Sequence, residues 1–190
     1  MARPASSVVS CQLSVKAAAR TRLQRIAAIR VNLRTLHEHD LAAIEIWYEE
    51  AARAAYESRS LAELWRSARE GSSGLLAIER ADEDETIGLL EYAVRDAWLA
   101  VPFIALAKGY RGWGYGSEAV RLLEEWPASQ RLATRFRAEV DVRNGLGLYF
   151  WLRLGYRSAR KDEFGWQEEG EADRMAMVRV VGTVGAANAS

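Results

Sequence analysis

Ile104 to Trp126 reads IALAKGYRGWGYGSEAVRLLEEW, and its grammar changes twice. An apolar run predicts a buried strand. It gives way to a turn in which Arg111 precedes Gly112, Gly114 and Gly116. Apolar residues then recur at helical spacing, with Val120, Leu122, Leu123 and Trp126 available to a core before Pro127. Glycine tolerates positive φ and lets another molecule approach the backbone. The helix start beyond it offers unpaired N–H groups and the positive end of the dipole. The segment therefore predicts a cradle for a phosphorylated ligand.

Working outward, the elements fall into a simple order. Ile29, Val31 and Leu33 alternate with Arg30, Asn32 and Arg34, which predicts a half-buried strand. Asp40 is placed to cap a helix carrying Leu41, Ile44, Trp47 and Tyr48. Ser60 with Glu63 forms a capping box for a second helix that ends near Gly71. Leu75 to Glu79 and Thr86 to Val94 read as a hairpin across the acidic turn Asp82 to Glu85. Trp98 to Ala107 is almost continuously apolar and is expected at the centre of the sheet. Pro127 should stop the helix that starts at Gly114. Phe136 to Val142 alternates as a strand, and Asn144 leads a helix with Leu146, Tyr149, Phe150 and Leu154 that Gly155 ends. Tyr156 to Trp166 and Met175 to Val181 complete the pattern β-αα-βββ-α-β-α-ββ. That order predicts an α/β (α+β) domain with a mixed, mostly antiparallel central sheet flanked by helices.

The chain has 190 residues and no net charge, but the charge is unevenly spread. Residues 1–30 carry six basic groups and no acid, leaving 20 basic against 26 acidic residues, a net of −6, for the remainder. Residues 1–28 therefore read as a basic, disordered extension, 29–181 as one domain and 182–190 as a disordered tail. A targeting segment and an upstream start codon remain alternatives for the extension. Val15 to Ile29 has a thin apolar face for a basic helix, and Val8 to Cys11 only faintly resembles a lipoprotein cleavage site. A basic tail before an acidic domain argues against nucleic acid as a partner. No run approaches the ~18 apolar residues needed to span a bilayer, so no membrane role is expected. The lone Cys11 forms no internal disulfide, which points to a reducing, cytoplasmic setting. His37-Glu38-His39 lacks the further ligands of a metal site, so no metal is expected.

Arg111-Gly112-Trp113-Gly114-Tyr115-Gly116 resembles the cofactor-binding motif of the GCN5-related N-acetyltransferases: arginine or glutamine, two residues, glycine, one residue, then glycine or alanine. A second stretch, Asn144-x-x-Gly147-x-x-Phe150-Trp151-x-x-x-Gly155-Tyr156, resembles that family's asparagine-containing helix and closing glycine–aromatic pair. The opening VNLRTLHEHDL is similar to its first strand and helix, so the resemblance covers 29–181. The alternatives are weaker. A dinucleotide fingerprint belongs after the first strand of a parallel unit, whereas three strands and two helices precede this turn. A Walker loop needs a Gly-Lys-Ser/Thr that is absent.

The resemblance implies acetyl-CoA as co-substrate and an amine as acceptor. The acceptor is a small molecule, a protein N-terminus or a lysine. The pyrophosphate would lie over the backbone of Gly112 to Ser117, including Trp113, Gly114, Tyr115 and Gly116. Arg111 would support the turn or a phosphate. The pantetheine would pair with the splayed edge Leu106-Ala107-Lys108, and Asn144 would bond the cofactor near its thiol. Transfer would proceed by direct attack of a neutral amine, with Leu106 N–H serving the oxyanion. For the base, Glu91 and Asp141 stand in apolar runs where burial would raise a carboxyl pKa. Many members carry a tyrosine acid where this chain has Trp151, whose indole donates a hydrogen bond but no usable proton. Trp151 thus reads either as a site residue or as core packing. A silent acyl-CoA-binding module is the rival function. The early aromatics Trp47, Tyr48, Tyr56 and Trp65 line an acceptor pocket or fill the core. Sheet edges in this family often pair into a homodimer, a state the sequence leaves open.

Overall fold

In the computed structural model, the residues described are 25–71, 73–129, 133–160 and 173–180. The expected basic extension up to residue 24, the distal part of the Tyr156–Trp166 strand and the 182–190 tail lie outside them.

The strands are β1 (Arg25–Ala27), β2 (Val31–Thr35), β3 (Gly74–Arg80), β4 (Thr86–Arg95), β5 (Trp98–Leu106), β6 (Arg135–Asp141), β7 (Arg157–Ser158) and β8 (Arg174–Val180). The helices are α1 (Leu41–Ala55), α2 (Leu61–Glu70), α3 (Tyr115–Ser129) and α4 (Gly145–Arg153). Among the described residues the strands form one sheet in the order β1-β2-β3-β4-β5-β6-β8-β7. Each pairing is antiparallel except β5 with β6.

The sheet is covered on both faces. Leu75, Ala77, Leu89 and Phe103 pack with Ile44, Tyr48, Leu61 and Leu64 of α1 and α2. Leu76, Ile78 and Leu90 face the other way, toward Val120 and Leu123 of α3 and Trp151 of α4. Alternation along β3 thus feeds two cores, which is why its run is apolar rather than half polar.

Four local expectations change. The sheet begins at Arg25, ahead of the expected boundary at Ile29, and Arg25–Ala27 form a strand rather than the end of a basic helix. Ile29 lies in the turn between β1 and β2, 93% exposed, so it is no core position. Asp40 stands at the N-cap of α1, but its side chain makes no capping bond to that helix; it closes a 3-10 turn instead, accepting from His37 N–H at 2.8 Å and from both Arg34 terminal nitrogens at 2.7 and 2.8 Å. Pro127 does not stop α3, which runs two residues further to Ser129. The Ser60–Glu63 capping box forms as read, with Gly71 closing α2 at φ +83°.

Candidate active site

The sheet comes apart at one place. β5 pairs with β6 only from Trp98↔Arg135 to Val101↔Ala138. Beyond it, β5 continues beside β4 while β6 continues beside β8. The break has a local cause. Across from β4, Ala93 pairs with Ala100 and Glu91 with Phe103, so Val101 and Pro102 together face Tyr92. That is a β-bulge, which bends its strand. One of the two residues is a proline, which has no N–H for a ladder. Among the described residues, the edge of β5 past Pro102 is left open.

Leu106 lies on that edge. Ala107 N–H bonds Ile87 O at 2.9 Å, so by antiparallel alternation Leu106, opposite Gly88, turns its backbone groups away from β4. Its carbonyl accepts from Arg111 Nε at 2.8 Å. The predicted splay at Leu106 is present, whereas Lys108 opens an exposed 3-10 turn beyond it.

The glycine turn follows directly. Gly112 and Gly114 have φ of +84° and +88°, backbone that L side chains rarely adopt. At Gly112 a Cβ would meet nothing within 4 Å, so its backbone is open to approach. At Gly114 a Cβ would come within 3.2 Å of the Arg30 guanidinium. Gly116 lies under Phe150 and Leu106, which a Cβ would contact at 3.4 and 3.5 Å. The first donor in the helical ladder is Glu118, to Gly114 O at 3.1 Å. The N–H groups ahead of it, up to Ser117, have no carbonyl within the helix. These residues fit a phosphate-bearing ligand.

Two arginines brace the turn. Arg111 forks onto both oxygens of Glu50 in α1 at 3.0 and 2.7 Å, in addition to Leu106 O. It therefore ties the turn to α1 and to the end of β5. Arg30 was not anticipated. Its N–H and Nε each bond the Glu118 carboxylate at 2.8 Å, and Nη1 donates to Trp113 O at 2.9 Å. The guanidinium also lies 5.4 Å from the Tyr115 ring centre. Trp113 itself is exposed.

Across the split lies a buried charge network. Arg59, in the loop between α1 and α2, donates from Nε and Nη2 to the Glu57 oxygens at 3.0 and 2.8 Å. Its Nη2 and Nη1 also reach the Glu91 oxygens at 2.9 and 3.3 Å. Ser73 Oγ donates to Glu91 at 2.8 Å, and Tyr48 OH donates to Arg59 O at 2.7 Å. The Glu57 side chain is 1% exposed and also lies 3.5 Å from Arg174 of β8. Burial pushes the Glu57 carboxyl up, but hydrogen bonds from the Arg59 side chain and backbone outweigh it, holding it below the usual range. Glu91 pairs in register with Phe103, the first β5 residue past the bulge. It therefore lies one strand back from the open edge of β5.

Asp141 ends β6 on the other arm. Arg143 binds both its oxygens, at 2.8 and 2.6 Å, and holds its carboxyl down at about 2. The expectation that burial raises it is reversed: a paired guanidinium outweighs desolvation. Glu91 and Asp141 thus lie on different arms of the split sheet, each paired with its own arginine.

Asn144 is the N-cap of α4, its Oδ1 accepting from Gly147 N–H at 2.8 Å and its Nδ2 donating to Ala55 O at 3.4 Å. Trp151 is 3% exposed. Its ring centre lies 5.0 Å from that of Phe150 and 4.7 Å from that of Tyr156, which places it in the core. Of the early aromatics, Tyr48 is buried and Trp47 and Trp65 pack on the core, while Tyr56 is 44% exposed. Tyr56 starts the Arg59 loop at φ 59°, unusual for a non-glycine residue. Among the described residues no helix is long and apolar enough to cross a membrane, and no metal-ligating group of three assembles.

A split mixed sheet with a glycine turn leading into a helix at the split defines the class of fold, an α/β domain with an opening between two of its central strands. The family model for the GNAT acetyltransferases matches residues 41–156, and the chain belongs to that family. The fold agrees. The acetyltransferase from Agrobacterium tumefaciens str. C58 aligns with a TM-score of 0.65 at 16% identity, covering 83% of this chain and 95% of that one. The Salmonella typhimurium acetyl transferase that modifies the N-terminal serine of 50S ribosomal subunit protein L7/L12 gives 0.63 at 15%, covering 82% and 97%. The ribosomal-protein-S5-alanine acetyltransferase of Vibrio fischeri gives 0.59 at 18%, covering 82% and 96%. No protein of curated function matches the chain by sequence.

Proposed function

We propose that the protein transfers the acetyl group of acetyl-CoA to a primary amine, with a peptide α-amine as the favoured acceptor. The observation that carries this is the parting of β5 from β6 beside the glycine turn. An extended chain can lie against the open edge at Leu106 while its phosphates meet the N–H groups at the start of α3. Arg111 and Arg30 hold that turn in shape from α1 and from the β1–β2 connection.

Acetyl-CoA supplies the activated thioester. The acceptor nitrogen attacks the carbonyl carbon: a C–N bond forms, the C–S bond breaks and sulfur leaves as thiolate. Glu91 takes the proton shed by the nitrogen. Leu106 N–H faces the opening and stabilises the carbonyl oxygen as its charge grows. Trp151, buried among Phe150 and Tyr156, gives no proton. None is essential, because a thiol with pKa about 8.5 leaves tolerably as its anion. An α-ammonium, with pKa about 8, yields its proton to a carboxylate more readily than a lysine near 10. One structural neighbour named for modifying the N-terminal serine of L7/L12 supports the same acceptor class, and one named for ribosomal-protein-S5 alanine supports a protein acceptor. The lone Cys11, with no second cysteine to pair with inside the chain, supports a reducing, cytoplasmic setting for this reaction.

The test is incubation with acetyl-CoA and a panel of peptides with free or blocked N-termini, with and without lysine. Thiol release and a 42 Da mass gain (the difference between acetyl and hydrogen, roughly) are read together. Transfer to free N-termini is the expected result. Binding of CoA with no thiol release on any amine would instead establish the silent acyl-CoA module.

A further inference from the structure

The loop from Tyr56 to Ser60 does more than join two helices. Arg59 projects from it into a space between two buried carboxylates, Glu57 and Glu91, whose side chains are 1% and 5% exposed. The three donor nitrogens of one guanidinium are all engaged there. Both Glu91 oxygens are in turn held: Oε1 by Ser73 Oγ and Arg59 Nη1, Oε2 by Arg59 Nη2. Glu57 anchors the guanidinium from behind and reaches across to Arg174 on β8. The loop is therefore tied to both arms of the split sheet, to β4 through Glu91 and to β8 through Glu57. Tyr48 OH fixes the Arg59 carbonyl from α1.

We propose that Arg59 is a positioning residue for acetyl transfer, fixing the orientation of the Glu91 carboxylate, with Glu57 as its anchor. This rests on the acetyl-transfer reading with Glu91 as base. The physical argument is geometric. A planar fork holds a carboxylate in one plane, whereas an ammonium attracts it as a point charge and leaves it free to rotate. A base must lie within hydrogen-bond reach of the proton it removes, and a small rotation of its carboxylate forfeits that reach.

The experiment is a double-mutant cycle between Arg59→Gln and Glu91→Gln, with Arg59→Lys and Glu57→Gln alongside. Initial rates with acetyl-CoA and the best free-N-terminus peptide give kcat and KM; CoA affinity is measured by calorimetry and folding by thermal melting. Arg59→Gln should lower kcat by about tenfold or more, with CoA affinity unchanged, and should add almost nothing in the Glu91→Gln background. Arg59→Lys should recover part of kcat while keeping the charge, and Glu57→Gln should lower kcat by a smaller factor. If Arg59→Gln does not fold, Arg59→Lys carries the cycle, with a smaller drop expected and the same loss of effect beside Glu91→Gln. Equal losses from either Arg59 variant in both backgrounds would overturn the positioning role and leave a structural ion pair. If Glu91→Gln alone keeps full kcat, the base assignment falls and the inference falls with it. A wild-type protein that binds CoA and acetylates no amine overturns the parent reading instead.

Discussion

The two ends of the candidate site are built by opposite means. At the proposed cofactor end, the groups on offer are backbone amides beside Gly112, Gly114 and Gly116, and the ion pairs that brace the turn are largely exposed. At the proposed acceptor end, the groups are side chains, and the carboxylates of Glu57 and Glu91 are buried around one arginine. A phosphate ligand needs N–H groups that any residue supplies, so only conformation must be encoded there. Proton transfer needs particular side chains in a fixed relation, brought together from several elements. The contrast predicts that changes at one end leave the other intact.

The largest expected effect is at the acceptor end. Glu91→Gln should lower kcat by about 100-fold, the scale of a lost general base, with CoA affinity unchanged by calorimetry. A matching loss of CoA affinity would break the division between the ends. The converse test is Gly114→Val. It forces a β-branched residue to φ +88° with its Cβ within 3.2 Å of the Arg30 guanidinium. Strain of about 2 kcal/mol should weaken CoA binding by roughly 30-fold. The Glu57–Arg59–Glu91 contacts should survive this change, as read by the rate at saturating acetyl-CoA.

These two ends were also unequally legible. The glycine turn sits in continuous sequence, and its function depends on local backbone freedom, so Arg111 to Gly116 announced themselves. The Ser60–Glu63 box and the Asn144 cap were readable for the same reason: each closes within three residues. Pairs distant in sequence were not. Arg30 meets Glu118 across 88 positions and Arg59 meets Glu91 across 32. Arg30 and Arg59 stand in loops, where an arginine carries no pattern that tells a solvated side chain from one with a buried partner. Asp141 illustrates the cost: its apolar surroundings suggested a raised carboxyl, and only the fold shows Arg143 reversing the sign. Arg25–Ala27 were missed because a three-residue edge strand is too short to display a period.

A smaller effect sharpens the cofactor end. Arg30→Met removes the partner of Glu118 in the first turn of α3. The freed carboxylate then opposes an anion at the helix start, a repulsion of about 1 kcal/mol, or near fivefold in CoA affinity. Because the pair is partly exposed, the loss should shrink as salt rises. A fivefold loss that persists at high salt would mean that Arg30 acts by shaping the turn rather than by charge.

Acid should separate the ends by stability. Asp141 is held at about 2 by the hydrogen bonds and charge of Arg143, and Glu57 is held below its usual range because Arg59 outweighs burial. For lowered carboxyls, the stabilisation is present above their unfolded values and is lost as pH falls through their folded ones. Glu124 behaves oppositely. Burial raises it, beyond what Tyr156 and Arg179 offset, so its protonation on acidification favours the fold. The melting temperature should therefore fall between about pH 4 and 2, and Asp141→Asn should flatten the lower part of that fall. A Glu124→Gln protein should keep the fall. If it disappears there instead, the acid lability lies beside α3 and not at the acceptor end.

The smallest expected effect on turnover is at Trp151, where the sequence raised the sharpest doubt. Its position suggested a replaced proton donor, but its ring is packed between Phe150 and Tyr156 and is 3% exposed. A residue that only fills space should affect stability and leave the chemistry alone. Trp151→Phe keeps an aromatic ring but removes volume, and should cost roughly 1–2 kcal/mol, less than truncation to alanine. The kcat should stay within about threefold, since no proton passes through the indole. Trp151→Tyr is the discriminating partner. It offers a proton donor at the same place, but buries a hydroxyl that must find an acceptor. If kcat rises severalfold with tyrosine and not with phenylalanine, the leaving thiolate does need an acid, and the split is catalytically incomplete at that one position. If both variants turn over like the parent while melting lower, the tryptophan belongs to the core, and the chemistry rests on the Glu91 side alone.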